Sequence, residues 1–175
     1  CGKKGGTELI ISFRKNIGNR KILICIIIFI LFGSFIMYLK ENPPLYSSGY
    51  SGNSKENKVM TMSIVNDGFS RIFLREVLVN GGEKPQKVEL GVSTTEHLVE
   101  GAGLDEDINI TFYDIKGIPI SSKFSREKLH KEKDREAIKH YGIRIFHNKP
   151  IEEVTVRYKY LGISFSLEIK NIFKD

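Results

Sequence analysis

Tryptophan is absent from this chain of 175 residues, cysteine occurs only twice and proline only five times. The cysteines are Cys1 and Cys25, so residues 41–175 contain none. That part of the chain has no disulfide and must be stable through its core alone. It also lacks a thiolate for zinc or for nucleophilic catalysis. No Gly-x-Ser-x-Gly element is present, which removes the nucleophile of esterase-type hydrolases. Gly101-Ala102-Gly103 has neither the strand–helix context nor the following Lys-Ser/Thr of a phosphate loop. The expectation is a protein that is not an enzyme, with no catalytic, cofactor-binding or metal-ligating residues and no cofactor.

Residues 41–175 also lack an excess of either charge: they hold 20 Lys and Arg against 20 Asp and Glu. The formal net charge of +6 comes entirely from residues 1–40, where seven basic residues face the single acid Glu8. A basic surplus confined to one short segment is no footprint for nucleic acid, so no nucleic-acid partner is expected.

Against these absences stands one long apolar run. Ile22 to Leu39 (ILICIIIFILFGSFIMYL) carries no charge and lies between Lys21 and Lys40. At about 1.5 Å per helical residue it reaches roughly 27 Å, close to the ~30 Å hydrocarbon core of a bilayer. A helix satisfies every backbone group there, and the core helix of a soluble domain is rarely apolar on all faces. A cleaved signal peptide has about 7–15 apolar residues followed by a small-x-small site. Tyr38-Leu39-Lys40-Glu41-Asn42-Pro43 offers no such site. An uncleaved single-pass anchor is expected, with the lipid bilayer as the partner of residues 22–39. Cys25 inside it behaves as a small apolar group.

Lys3, Lys4, Arg14, Lys15, Arg20 and Lys21 precede the run, whereas Lys40 beside Glu41 is all that follows closely. Basic residues within ~15–20 positions of a span stay on the cytoplasmic side. The predicted organisation is a short basic cytoplasmic tail (1–21), a transmembrane helix (22–39), a flexible tether (40–57) and an extracytoplasmic domain (58–175). Leu9-Ile10-Ile11, Phe13 and Ile17 permit a short amphipathic stretch on the inner leaflet, though a frayed tail is the simpler expectation. Cys1 in place of Met reads as a truncated reading frame. A lipidated Cys1 on the outer face would contradict the basic flank behind it.

Residues 41–57 (ENPPLYSSGYSGNSKEN) are rich in Pro, Ser, Gly and Asn, hence the tether. From Lys58 the pattern is β. Val154–Tyr160 and Ile163–Ile169 alternate apolar and polar without a break, and Leu161-Gly162 links them as an antiparallel hairpin. Val59–Val65, Ile72–Val79 and Lys87–Val92 are further strands, punctuated by Asn66-Asp67-Gly68 and Asn80-Gly81-Gly82. Ile72–Val79 is apolar on both faces, as a strand in mid-sheet would be. Ile108–Phe112 and Tyr141–Ile145 bring the set to about seven. Ser125–Lys139 (SREKLHKEKDREAIK) has a Ser cap, an early Glu127 and a Glu127/Lys131 pair spaced i,i+4, which predicts a short, solvated crossover helix. Together these predict an all-β, immunoglobulin-like antiparallel sandwich behind the anchor.

The longest loop of the β region, 93–107, concentrates Glu100, Asp105, Glu106 and Asp107 beside glycines. Carboxylates suit a hard cation, but the calcium-loop pattern is missing and a solvated acidic loop is expected. Lys84 or Lys87 would neutralise those acids without any ligand. His97, His130, His140 and His147 have no zinc-helix spacing, and His140 and His147 point to opposite faces of one strand. His97 beside Glu96 and Glu100 permits acid–base work, yet surface histidines need no function to explain them. Asn109-Ile110-Thr111 matches a glycosylation acceptor but falls in a predicted strand.

The segment SIVNDGFSRIFLREVLVNGGEKPQKVELGVS (Ser63–Ser93), with the anchor before it, resembles uncharacterised single-pass membrane-anchored proteins of Bacillus-type Gram-positive bacteria. The resemblance implies a bacterial cell membrane and no reaction, ligand or catalytic residue. The functional expectation is a membrane-anchored extracytoplasmic binding or interaction module whose partner is another membrane or envelope protein. The alternative is a small-ligand or cation-binding sensor or capture subunit using the 93–107 loop.

Overall fold

A computed structural model describes residues 5–52, 56–95, 99, 110–125, 138, 140–170 and 172. The chain divides into two compact units, Cys1–Asn42 and Pro43–Asp175.

The first unit is one helix, α1 (Gly5–Glu41). No proline interrupts the chain before Pro43, so the predicted tail continues the predicted span as helix from Gly5. Ile22, Leu23, Ile24 and Phe32 point in four different directions around the helix and are all exposed. The stretch Arg20–Glu41 is long and apolar enough to cross a membrane, a property that anchors share with signal sequences. The helix closes where the Asn42 backbone and side-chain amides both donate to the Tyr38 carbonyl (2.9 and 3.2 Å). Pro43 and Pro44 then lack the N–H groups needed to continue it.

The second unit is built mostly of antiparallel β-sheet. Its strands are β1 (Leu45–Gly52), β2 (Val59–Asn66), β3 (Ile72–Val79), β4 (Lys87–Ser93), β5 (Ile110–Asp114), β6 (His140–Phe146), β7 (Val154–Tyr160) and β8 (Ile163–Ile169). A five-stranded sheet has the order β1-β2-β6-β4-β5, and a three-stranded sheet the order β3-β7-β8. Alternation dictates which side chains are buried. In the first sheet these are Met60, Met62 and Ile64 of β2, Leu90 of β4, and Tyr141, Ile143 and Ile145 of β6. In the second they are Ile72, Leu74, Val77 and Val79 of β3, with Val154, Val156, Tyr158 and Tyr160 of β7.

Three expectations need correction. Residues 45–52, assigned to the tether, form β1, which pairs with β2 from Leu45↔Asn66 to Gly52↔Met60. The Ser47 hydroxyl donates toward the Ser63 and Gly49 carbonyls (both 3.1 Å). β2 supplies the ladder partners that a Ser- and Gly-rich composition hides. β3 lies at the edge of its sheet, not in the middle. A bulge between Leu74 and Glu76 shifts its alternation, so Leu74 and Val77 both fall on the buried side. That single extra residue explains apolar side chains on both nominal faces. The strand set therefore numbers eight.

Elsewhere local chemistry holds. Leu161 and Gly162 close the β7–β8 hairpin with φ of 51° and 81°, the left-handed pair of a two-residue turn. Asn80, Gly81 and Gly82 also have positive φ. The Asn80 side chain ties its turn to the β6–β7 connection, accepting from the Glu152 N–H (2.9 Å) and donating to the Pro150 carbonyl (2.7 Å). Of the predicted helix Ser125–Lys139, only Ser125 and Ile138 are described, and the rest lies outside the described residues.

Candidate functional site

Each sheet leaves two edges, and an unpaired edge is a row of free N–H and C=O groups able to pair with another chain. Three of the four edges carry known protection. β1 is bulged between Ser47 and Gly49. β5 has only five residues and ends in Asp114, whose carboxylate accepts from the Lys116 N–H (2.8 Å). β3 is bulged and bridged by Ile120, with mutual backbone hydrogen bonds to Ile72 of 2.9 and 3.0 Å.

β8 differs. It pairs with β7 over seven residues without a register shift and contains no proline or glycine. Among the described residues nothing pairs with its other side. Ile163, Phe165, Leu167 and Ile169 alternate with exposed Ser164, Ser166 and Glu168, and the apolar four are only half-buried. Phe165 stacks on Tyr158 (centroids 5.6 Å apart, planes 16° apart) and meets Tyr160 edge-on at 6.5 Å. A shallow open groove beside β8 is lined by Arg75, Arg157, Tyr158, Ser164, Phe165 and Ser166. Arg157 is held by Glu76 across the β3–β7 pair (3.0 Å).

A second constellation occupies the other face of the five-stranded sheet. The Arg144 guanidinium donates to Glu89 Oε2 through Nε (3.1 Å) and Nη2 (2.8 Å) and lies 3.7 Å from the Phe112 ring centroid. Lys87 Nζ is 2.7 Å from the other Glu89 oxygen. Burial pushes the Glu89 pKa up, but hydrogen bonds and charge from Lys87 and Arg144 outweigh this and hold the carboxyl below the ordinary glutamate range. Both charges are satisfied by neighbours, which is the arrangement of a structural ion pair. On the same face Gly91 and Gly142 stand opposite each other across β4 and β6. Val99, from the long loop, is fully buried there against Ile110 and Phe112. A Cβ at 142 would lie 2.5 Å from the Val99 carbonyl oxygen, and one at 91 would lie 2.5 Å from a Val99 methyl.

Most of the sequence candidates fall on residues that are not described. His97, His130, Glu96, Glu100, Asp105, Glu106, Asp107 and Gly101–Gly103 lie outside the described residues. Lys87 is engaged by Glu89. His140 opens β6, whereas His147 lies just beyond that strand and is buried, with no hydrogen bond at either ring nitrogen. Its Nε2 is 3.4 Å from Glu83 Oε2, and Glu83 is itself bound by Lys149 Nζ at 2.9 and 3.0 Å. Among the described residues no three His, Cys, Asp or Glu side chains converge as for a metal. Thr111 of the glycosylation match is exposed on β5, and Asn109 lies outside the described residues. The β8 edge escaped the sequence reading. Its signal was present all the same: seven alternating residues with no proline, glycine or inward charge to blunt an edge.

No known protein family, curated protein or solved structure matches this chain significantly.

Proposed function

We propose that this chain is a single-pass membrane protein displaying its β-unit outside the cytoplasm as a non-enzymatic interaction module. In this reading it captures an extended segment of another membrane or envelope protein along β8. The observation that carries it is the β8 edge, the one edge strand among the described residues that is regular over seven residues, unbulged and unbridged, its apolar row half-covered and able to be completed by a partner strand. Strand addition draws affinity from the main-chain ladder and specificity from alternate side chains. The buried rows of the two sheets support a sandwich, immunoglobulin-like in its two-layer architecture. The basic residues before Ile22 support a cytoplasmic N-terminus. The resemblance of Ser63–Ser93 and the cysteine-free β-unit support a bacterial cell membrane.

The test places a photoreactive residue at Ser166 on β8 or at Thr111 on β5, in the full chain and in its own membrane. A discrete adduct from position 166, missing from position 111, is expected. It should disappear when the chain probed at 166 also carries Ser164→Lys/Glu168→Lys, since edge lysines oppose strand pairing, while circular dichroism stays unchanged. Equal labelling from both positions, or an adduct indifferent to the lysines, would refute strand capture.

A further inference from the structure

Water-exposed apolar side chains of the β-unit are distributed unevenly between its two ends. β1 begins at Leu45, four residues after α1 ends at Glu41. Whatever the angle between helix and strands, that connection spans at most about 15 Å at ~3.3–3.6 Å per residue. Three loops meet at the end where β1 begins. The Asp67 N–H donates to the Pro44 carbonyl (2.8 Å), which holds the β2–β3 turn there. The Phe69 N–H donates to the Tyr160 hydroxyl (3.1 Å) and the two rings meet edge-on at 5.7 Å, which brings in the β7–β8 turn. The Ile120–Ile72 bridge adds the segment leading to Phe124.

On these loops Phe69 is 66% exposed, Phe124 73% and Leu161 43%. Arg71, Lys123 and Lys159, all exposed, stand close to them in the chain. Among the described residues of the opposite end, with the Asn80–Gly82 turn, Lys84 and Asn148–Pro150, no large apolar side chain is exposed. Leu161 adds an independent sign. It occupies a left-handed turn position (φ 51°) where Asn, Asp or Gly would be cheaper, yet its side chain is exposed.

We propose that this end of the β-unit rests on the lipid surface, with Phe69, Leu161 and Phe124 entering the interface and the three cations facing anionic headgroups. The proposal depends on α1 being an uncleaved anchor. The chain's lack of tryptophan makes the test direct, because each substitution creates the sole indole. Full-length chains carrying Phe69→Trp, Phe124→Trp, Lys84→Trp or Phe29→Trp are reconstituted in anionic vesicles containing brominated lipid. The Phe29→Trp chain reports on α1 itself; without quenching there, the anchor reading falls and this proposal falls with it. With α1 inserted, emission from the Phe69→Trp and Phe124→Trp chains should be blue-shifted and lost to quenching, while that of the Lys84→Trp chain persists. Unquenched emission from both chains, or equal quenching at Lys84→Trp, overturns the proposal and leaves the anchor intact.

Discussion

Tyr158 shows what one buried hydroxyl costs. Its ring belongs to the core and stacks on Phe165, but its oxygen is buried without a well-formed hydrogen bond to any of the described residues. Burial pushes its pKa up to about 12, and the nearby Leu45 backbone offsets this only in part. An unsatisfied buried polar atom costs roughly 1–3 kcal/mol, so removing it while keeping the ring should not destabilise the fold. Tyr158→Phe is expected to leave stability in urea unchanged or raise it by about 1 kcal/mol. The pH dependence follows from the direction of the shift. A phenol with a raised folded-state pKa contributes fully below the unfolded value near 10, and that contribution is lost as pH climbs toward 12. The Tyr158→Phe chain should therefore unfold less readily than the parent between about pH 10 and 12. A clear loss of stability at neutral pH would mean that the hydroxyl is bonded after all.

At the level of elements, the glycine pair on β4 and β6 carries a consequence out of proportion to its size. Side-chain-free positions at Gly91 and Gly142 open a notch in the sheet face, and Val99 fills it from the loop that follows β4. The close neighbour of a Cβ at 142 is backbone, which cannot rotate away. Gly142→Ala is expected to cost about 1–3 kcal/mol, the range for forcing extra volume into packed structure. Thermal unfolding of the full chain in detergent would measure it, and an unchanged midpoint would show that Val99 does not occupy the notch. The bulge in β3 is a second case of one residue redirecting a strand. It places Leu74 and Val77 together in the core and leaves Phe73 exposed.

The whole molecule joins an apolar helix to a β-unit that folds without any covalent cross-link. Its proposed orientation leads to a simple experiment. Protease added to intact protoplasts should remove the β-unit (Pro43–Asp175) and leave a membrane-bound stub containing α1 and its basic flank. Protection of the β-unit would reverse the orientation, and loss of the stub would point to a cleaved signal sequence. Because residues 41–175 hold no cysteine, reductant in the same assay should not alter the digestion pattern.

Composition and short-range pattern determined the apolar helix, the predominance of antiparallel strands, the β7–β8 hairpin and the Asn80–Gly82 turn. Each depends on residues a few positions apart: an uncharged run with no proline, period-two alternation, or cheap left-handed conformations. Asn66-Asp67-Gly68, by contrast, turns without a left-handed residue. Tertiary structure alone decided the rest. β1 is a strand because β2 offers it a ladder, although Ser47, Ser48 and Gly49 lack the alternation that would announce one. β3 lies at the edge of its sheet, and the bulge that turns its apolar residues inward shows only in its register with β7. The Gly91–Gly142 notch needs two strands about fifty residues apart to meet in register. Openness of the β8 edge is likewise a statement about which strands do not pair with it. Hydrogen-bond ladders and packing between distant segments are cooperative, so which pairings win depends on all the competing strands at once.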